Sequence, residues 1–256
     1  MNFLIQTKDE QPIHDFSREL IEGCRYNKWL DKSFKYSIDF VDWDVNDKSF
    51  DFIDSDIDLI PIGSVEFVSA YLERFYGVTP KPRNIPDVLN KPDLTYRTIF
   101  NGTKHDLKIG EEKFVKSNEK IKSFTGVITK DVTDFSHIPD GELQISDIIN
   151  IDSEYRCFVY KGELVGLKHY SGDFTVFPSI AQIYVMINEF KDAPVAYTLD
   201  IGINNHSGRY LKPKETFIIE VHDFFSCGLY GFNDYRLLPH MFTKWFREYI
   251  SLIKND

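Results

Sequence analysis

Ile218-Ile219-Glu220-Val221-His222-Asp223-Phe224-Phe225-Ser226-Cys227-Gly228-Leu229-Tyr230-Gly231 is the stretch on which the reading of this chain turns. An apolar run from Thr216 to Val221 ends among Glu220, His222 and Asp223, three side chains able to ligate a cation or accept a proton. A glycine-containing loop then turns the chain away. Earlier, Ala196-Tyr197-Thr198-Leu199-Asp200-Ile201-Gly202 carries a lone aspartate among apolar neighbours. If the two runs pair as antiparallel strands, Asp200 and Glu220 project from one face toward a common point. Carboxylates that close repel unless a cation sits between them, and oxygen ligation suits Mg²⁺. The same spacing also fits two solvent-facing acids on an ordinary hairpin.

Composition narrows the classes. At 256 residues the chain can bury a sizeable core, and 42% hydrophobic with 15% aromatic residues indicates a folded rather than a disordered polypeptide. Asp plus Glu (40) exceed Lys plus Arg (30), and the net charge of −10 argues against nucleic acid or an anionic membrane held by bulk charge. Cys24, Cys157 and Cys227 are scattered without CxxC spacing and read as reduced thiols. Met1 to Gln6 lacks a basic, then long apolar, leader, and no run reaches membrane-spanning length. A soluble cytoplasmic protein is expected.

Taken in order, residues 2–6 read as a strand, and Phe16, Leu20 and Cys24 mark the apolar side of a helix. Residues 36–43 alternate like a strand, and the aspartate-dense stretch from Asp39 to Asp58 reads as solvated surface. Leu59–Ile62 is a strand, after which Ser64 caps a helix running to Phe75. Gly77 to Pro92, with Pro80, Pro82 and Pro86 between, is the candidate linker or surface excursion. Strands follow at 95–100, with Asn101-Gly102 as a turn, and at 113–116, 127–129, 144–149 and 155–160. Lys161-Gly162 signals a hairpin into Leu164–Tyr170. A helix starts at Ser179, and a last one, from about Leu237 to Ile253, carries a stripe of Leu238, Met241, Phe242, Trp245 and Tyr249 that reads as core packing.

Singly, the polar residues are ambiguous. Lys116 at the end of a β-run fits a snorkelling surface lysine, and Arg156, close to Glu154, fits half of an ion pair. Their order, however, resembles the ATP-grasp fold over residues 96 to 256. Within it the likeness is to the ribosomal-protein glutamyl-ligase branch and to small phage and bacterial ATP-grasp proteins. Phe114-Val115-Lys116 is similar to the family's strand with a phosphate-binding lysine, and Lys122-Ser123-Phe124-Thr125-Gly126 stands in place of its phosphate-covering loop. Ile145-Ser146-Asp147-Ile148-Ile149 resembles the strand that meets the adenine edge. Ser153–Val159, with Glu154 and Arg156, resembles the segment that contacts phosphates or the acyl intermediate, and Lys168-His169-Tyr170 resembles the run that follows it. Leu199-Asp200-Ile201-Gly202 and Ile219-Glu220-Val221-His222-Asp223 stand where the family has its magnesium-binding Asp and Glu-x-Asn.

The resemblance implies an α+β ATP-grasp domain over 95–256, with lobes at about 95–146 and 147–256, preceded by a small α/β domain over 1–94 in which Gly63-Ser64-Val65-Glu66 is the piece most like the phage relatives. It implies ATP and Mg²⁺, with Lys116, Lys122, Ser146, Asp147, Ile148, Ile149 and Glu154 at the nucleotide. Arg156 and Lys168 are implied as catalytic cations, and Asp200, Glu220, His222 and Asp223 as metal ligands. The implied reaction joins a carboxylate, activated as an acylphosphate, to an amine on a peptide, protein or small metabolite. His222 replaces the family's Asn, so a second expectation is a nucleotide-binding or interaction module that has lost turnover.

Overall fold

The computed structural model describes residues 1–46, 50, 53, 58–121, 123–204 and 214–254. Lys122 and part of the aspartate-dense stretch lie outside the described residues. The first sheet is built on β1 (Asn2–Lys8), which pairs antiparallel with the two-residue β2 (Gln11–Pro12). After the helix α1 (Asp15–Leu30), β3 (Ser37–Asp42) and β4 (Ile60–Ile62) both pair with β1 in parallel. β1 lies at the centre of the sheet and packs in one core with residues of α1, α2 and α5, so Phe3 to Thr7 form a continuous buried run instead of alternating. The helix α2 (Val65–Tyr76) opens on Ser64, whose hydroxyl accepts from Phe67 N. It closes on Gly77 at φ 70°, a left-handed position that glycine fills without strain.

The chain from Gly77 to Pro92 is not the surface excursion that its prolines suggest. Ile85 and Leu89 are buried, Val221 N donates to Asn84 O at 2.8 Å, and Ile85 N donates to Gln144 Oε1 at 3.1 Å. The prolines hold the chain extended, and the Asn84 carbonyl and the Ile85 amide find partners on the two sheets that follow.

The second sheet begins after the short helix α3 (Pro92–Thr95). It comprises β5 (Ile99–Gly102), β6 (Lys113–Ser117), β7 (Thr125–Ile128) and β8 (Leu143–Ser146) in the order β5-β8-β6-β7, all antiparallel. Asn101-Gly102 lies inside β5 rather than at a turn, because β5 pairs along its length with β8. The expected strand over 144–149 stops at Ser146.

The third sheet holds β9 (Ser153–Tyr160), β10 (Glu163–Gly172), β11 (Ala196–Asn204) and β12 (Glu215–Asp223), with α4 (Ile180–Glu189) between the first pair and the second, in the order β10-β9-β11-β12. The hairpin of β9 and β10 turns on Lys161 and Gly162, both at positive φ (54° and 77°), the twist that a two-residue turn requires. One face of this sheet presents Tyr155, Cys157, Val159, Tyr197, Leu199 and Ile201 to α4. The final helix, α5 (Leu238–Ile253), buries its aromatic stripe in the core of the first sheet, where Phe16, Leu20 and Phe67 also sit.

Candidate active site in the cleft between the sheets

Strand parity builds the site. On β11 the odd residues Tyr197, Leu199 and Ile201 fill the core under α4, so Asp200 points to the opposite face. Register then lines up a row across all four strands: Lys168 of β10 faces Arg156 of β9, Arg156 faces Asp200 of β11, and Asp200 faces Glu220 of β12. Directly opposed residues share a face, so two cations and two carboxylates cross the sheet in one line. A bulge beside Asp200, with Ile219 as the extra residue, re-aims the end of β12. The freed carbonyls of Ile218 and Ile219 accept from Arg97, at 2.8 and 3.2 Å.

Arg156, Asp200 and Glu220 of this row form one wall of a cavity of about 520 Å³, faced by Phe114, Lys116 and Thr125 of the second sheet, with Val65 at the start of α2 also lining it. Arg156 grips Asp200 with two hydrogen bonds, Nε to Oδ1 at 2.8 Å and Nη2 to Oδ2 at 2.7 Å, both side chains being almost fully buried. Burial works to raise the Asp200 carboxyl, and hydrogen bonds from Arg156 and His222 outweigh it, holding the group below the usual carboxylate range. Arg156 also donates to Gly228 O at 3.1 Å and lies against the Tyr230 ring, 4.9 Å from its centroid. Tyr170 stacks on Tyr230 and donates to Glu154 Oε2 at 2.9 Å. From the opposite sheet Lys116 forms an ion pair with Glu220. Burial pushes the Lys116 ammonium down to about 8, while Asp200 pulls the other way.

Asp200, Glu220 and His222 each offer one ligand atom, and these atoms lie within 4.8 Å of one another. His222 Nε2 is 2.8 Å from Glu220 Oε1 and 3.6 Å from Asp200 Oδ2. Two carboxylates and an imidazole converging on one point fit a divalent cation by donor chemistry.

Other residues singled out in the sequence stand elsewhere. Asp223 borders the cavity, but its Oδ1 accepts from Trp245 Nε1 at 3.0 Å and is 2.7 Å from Arg83 Nε, so it is no part of the ligand cluster. Lys168 sits on the edge strand, two strands from Asp200 and thus roughly 10 Å along the sheet; its ammonium points to Asn233 at 3.5 Å, outside the cavity. Ser146, Asp147, Ile148 and Ile149 do not line the cavity. Asp147 is turned to Lys113 Nζ at 2.7 Å, a hydrogen bond that holds its carboxyl below the usual range, and Ile148 is exposed. Sequence reading does not single out Arg83, Arg97 or Tyr230. Arg83 carries one signal, a cation in a proline-held segment; the roles of Arg97 and Tyr230 depend on a bulge and a loop that no local pattern announces.

Two antiparallel sheets flanking a cleft of cations and carboxylates, beside a mixed sheet built on β1, make up an ATP-grasp fold. The chain belongs to the family described as ATP-grasp domain, R-2-K clade family 2, whose pattern matches residues 94–239, more than half of its length. Among solved structures it is similar to a RimK-domain ATP-grasp protein from Sphaerobacter thermophilus (TM-score 0.56, 11% identity, 96% of this chain and 100% of that one). It is also similar to D-alanine–D-alanine ligase from Bacillus anthracis (TM-score 0.54, 14% identity, 99% and 98%). A third is phosphoribosylglycinamide synthetase from Anaerococcus prevotii (TM-score 0.51, 8% identity, 95% and 75%). At these identities the likeness is one of fold. No protein of curated function matches the chain in sequence.

Proposed function

We propose that this chain is an ATP-dependent ligase that joins a carboxylate to an amine or a similar nucleophile on a peptide, protein or small metabolite. The observation that carries the reading is the row Arg156–Asp200–Glu220 facing Lys116 across the cavity. Two structural relatives, a D-alanine–D-alanine ligase and a phosphoribosylglycinamide synthetase, are bond-forming enzymes by name, which supports the class.

A carboxylate and an amine do not condense in neutral water because oxide is too poor a leaving group. In the proposed reaction the carboxylate oxygen attacks the γ-phosphorus of ATP, the bond to the bridging oxygen breaks, and ADP leaves. The amine then adds to the acylphosphate carbonyl, loses its proton and expels phosphate. Phosphoryl transfer calls for positioning and charge neutralisation more than covalent help. Arg156, fixed by Asp200 and the Tyr230 ring, holds its charge at the cavity wall, and Lys116 reaches the same space from β6. Asp200, Glu220 and His222 would hold a divalent cation, Mg²⁺ by resemblance, which when bound neutralises charge on the phosphate oxygens. Ile121 and Phe124, in the connection between β6 and β7, line the cavity and would exclude water from the activated acyl group.

No helix among the described residues is long and apolar enough to cross a membrane. Three free, buried cysteines suit a reducing compartment, so the cytoplasm is the proposed location.

A second reading, nucleotide binding without turnover, is favoured by His222 and by the pairing of Lys116 and Arg156 with carboxylates. Calorimetric titration with ATP and Mg²⁺, followed by an assay of ADP release over panels of carboxylates and amines, separates the two. The ligase reading expects substrate-dependent ADP release that Asp200→Asn abolishes. Tight nucleotide binding with no release across the panels leaves the second.

A further inference from the structure

We infer that the cation site of the cleft selects a first-row transition ion such as Mn²⁺ over Mg²⁺, with His222 as the selecting ligand; the inference rests on the ligase reading and specifies its metal. The imidazole is at the focus of the cluster, since its Nε2 stands 2.8 Å from one carboxylate and 3.6 Å from the other. Parity commits it there: His222 follows Glu220 by two residues on β12 and faces Thr198 of β11, so it shares the cleft side of the sheet. With 36% of its side chain exposed, it lines the cavity with room to turn onto an ion.

Among the described residues the converging ligand atoms come from Asp200, Glu220 and His222, and the cavity's other carboxylates stand outside that cluster. Asp223 is held by Trp245 and Arg83, and Glu154 accepts from Tyr170. An ion between Asp200 and Glu220 therefore meets nitrogen as its third protein ligand. Mg²⁺ favours an all-oxygen octahedral shell, keeps its waters and gains little from imidazole; Mn²⁺ accepts carboxylate and imidazole together. The two carboxylates keep open lone pairs for an ion, because each oxygen has two and the guanidinium of Arg156 uses one on each oxygen of Asp200.

Electron paramagnetic resonance tests this directly. Protein labelled with ¹⁵N-histidine is saturated with a non-hydrolysable ATP analogue, titrated with Mn²⁺ and then challenged with Mg²⁺; calorimetry separately records binding of the analogue. The expected result is a ¹⁵N coupling on bound Mn²⁺ that disappears in His222→Asn. The preference for Mn²⁺ over Mg²⁺ should fall about tenfold or more in that variant, since changing a ligand's surroundings alone already costs that much. His222→Gln serves as the second variant should the first melt early. Bound Mn²⁺ without histidine coupling, or a preference unchanged by either substitution, overturns the inference and leaves the nucleotide reading intact. Failure of the wild type to bind the analogue overturns both.

Discussion

Lys116, on β6 of the second sheet, and Glu220, on β12 of the third, meet as an ion pair across the cleft. Both are only partly exposed, at 16% and 20% of their side chains, so neither is indifferent to losing the other. In the proposed reaction nucleotide and cation would each need one half of that pair. A phosphate that draws Lys116 away leaves Glu220 for the cation, and bringing both ligands together leaves no charge stranded. Lys116→Gln should therefore raise affinity for the metal alone, by about fivefold for a partly screened pair worth ~1 kcal/mol, while weakening nucleotide binding. Titrations of each ligand alone and together measure both effects. A variant that loses both affinities in parallel would show that the pair does not compete with its ligands.

The same lysine sets an alkaline limit. In the proposed reaction its protonated form would hold phosphate; burial brings its pKa down to about 8, so that form dominates below this value and is lost above it. Affinity for ATP should fall as the pH is raised through this range, by up to about tenfold per unit. Lys116→Arg, whose guanidinium stays charged, should flatten the profile. A wild-type profile already flat there contradicts the assignment.

Arg156 and Asp200 form the most buried of the cleft's ion pairs, with 8% and 3% of their side chains exposed. Removing one partner strands the other, so Arg156→Met should cost about 3–5 kcal/mol of stability in urea unfolding, and Asp200→Asn in that background should recover part of it. A single-variant loss under about 1 kcal/mol would rank the pair with surface bridges.

Asp223 separates structure from ligation. Its carboxylate serves Trp245 and Arg83 rather than the cluster. Asp223→Asn should lower stability by about 1–3 kcal/mol, the cost of disturbing a buried hydrogen-bonded acceptor, and leave metal affinity within a factor of about two. Thermal melting and metal titration check the two halves. Loss of metal binding with unchanged melting would return Asp223 to the ligand set.

What can be read without coordinates follows local periodicity. The apolar runs at 196–202 and 216–221, each interrupted by an acid, mark the strands that carry Asp200 and Glu220, the Ser64 cap opens α2, and Lys161-Gly162 turns the hairpin. Each depends on a few adjacent residues. Contacts set by distant register stay hidden. The partner of Arg156 is Asp200 on another strand, not nearby Glu154, and the proline-held segment packs through Ile85 and Leu89 because sheets far along the chain receive it. Asn101-Gly102 misleads because pairing with β8 overrides a local turn preference. The orientation of Lys168, out toward Asn233, likewise follows from how far the edge strand lies from the carboxylates.

Because α5 supplies part of the core around β1, the first sheet lacks part of its cover until residues 238–253 exist. During synthesis the core that holds Phe16, Leu20 and Phe67 therefore lacks its α5 side chains until the strands of the other two sheets have been made.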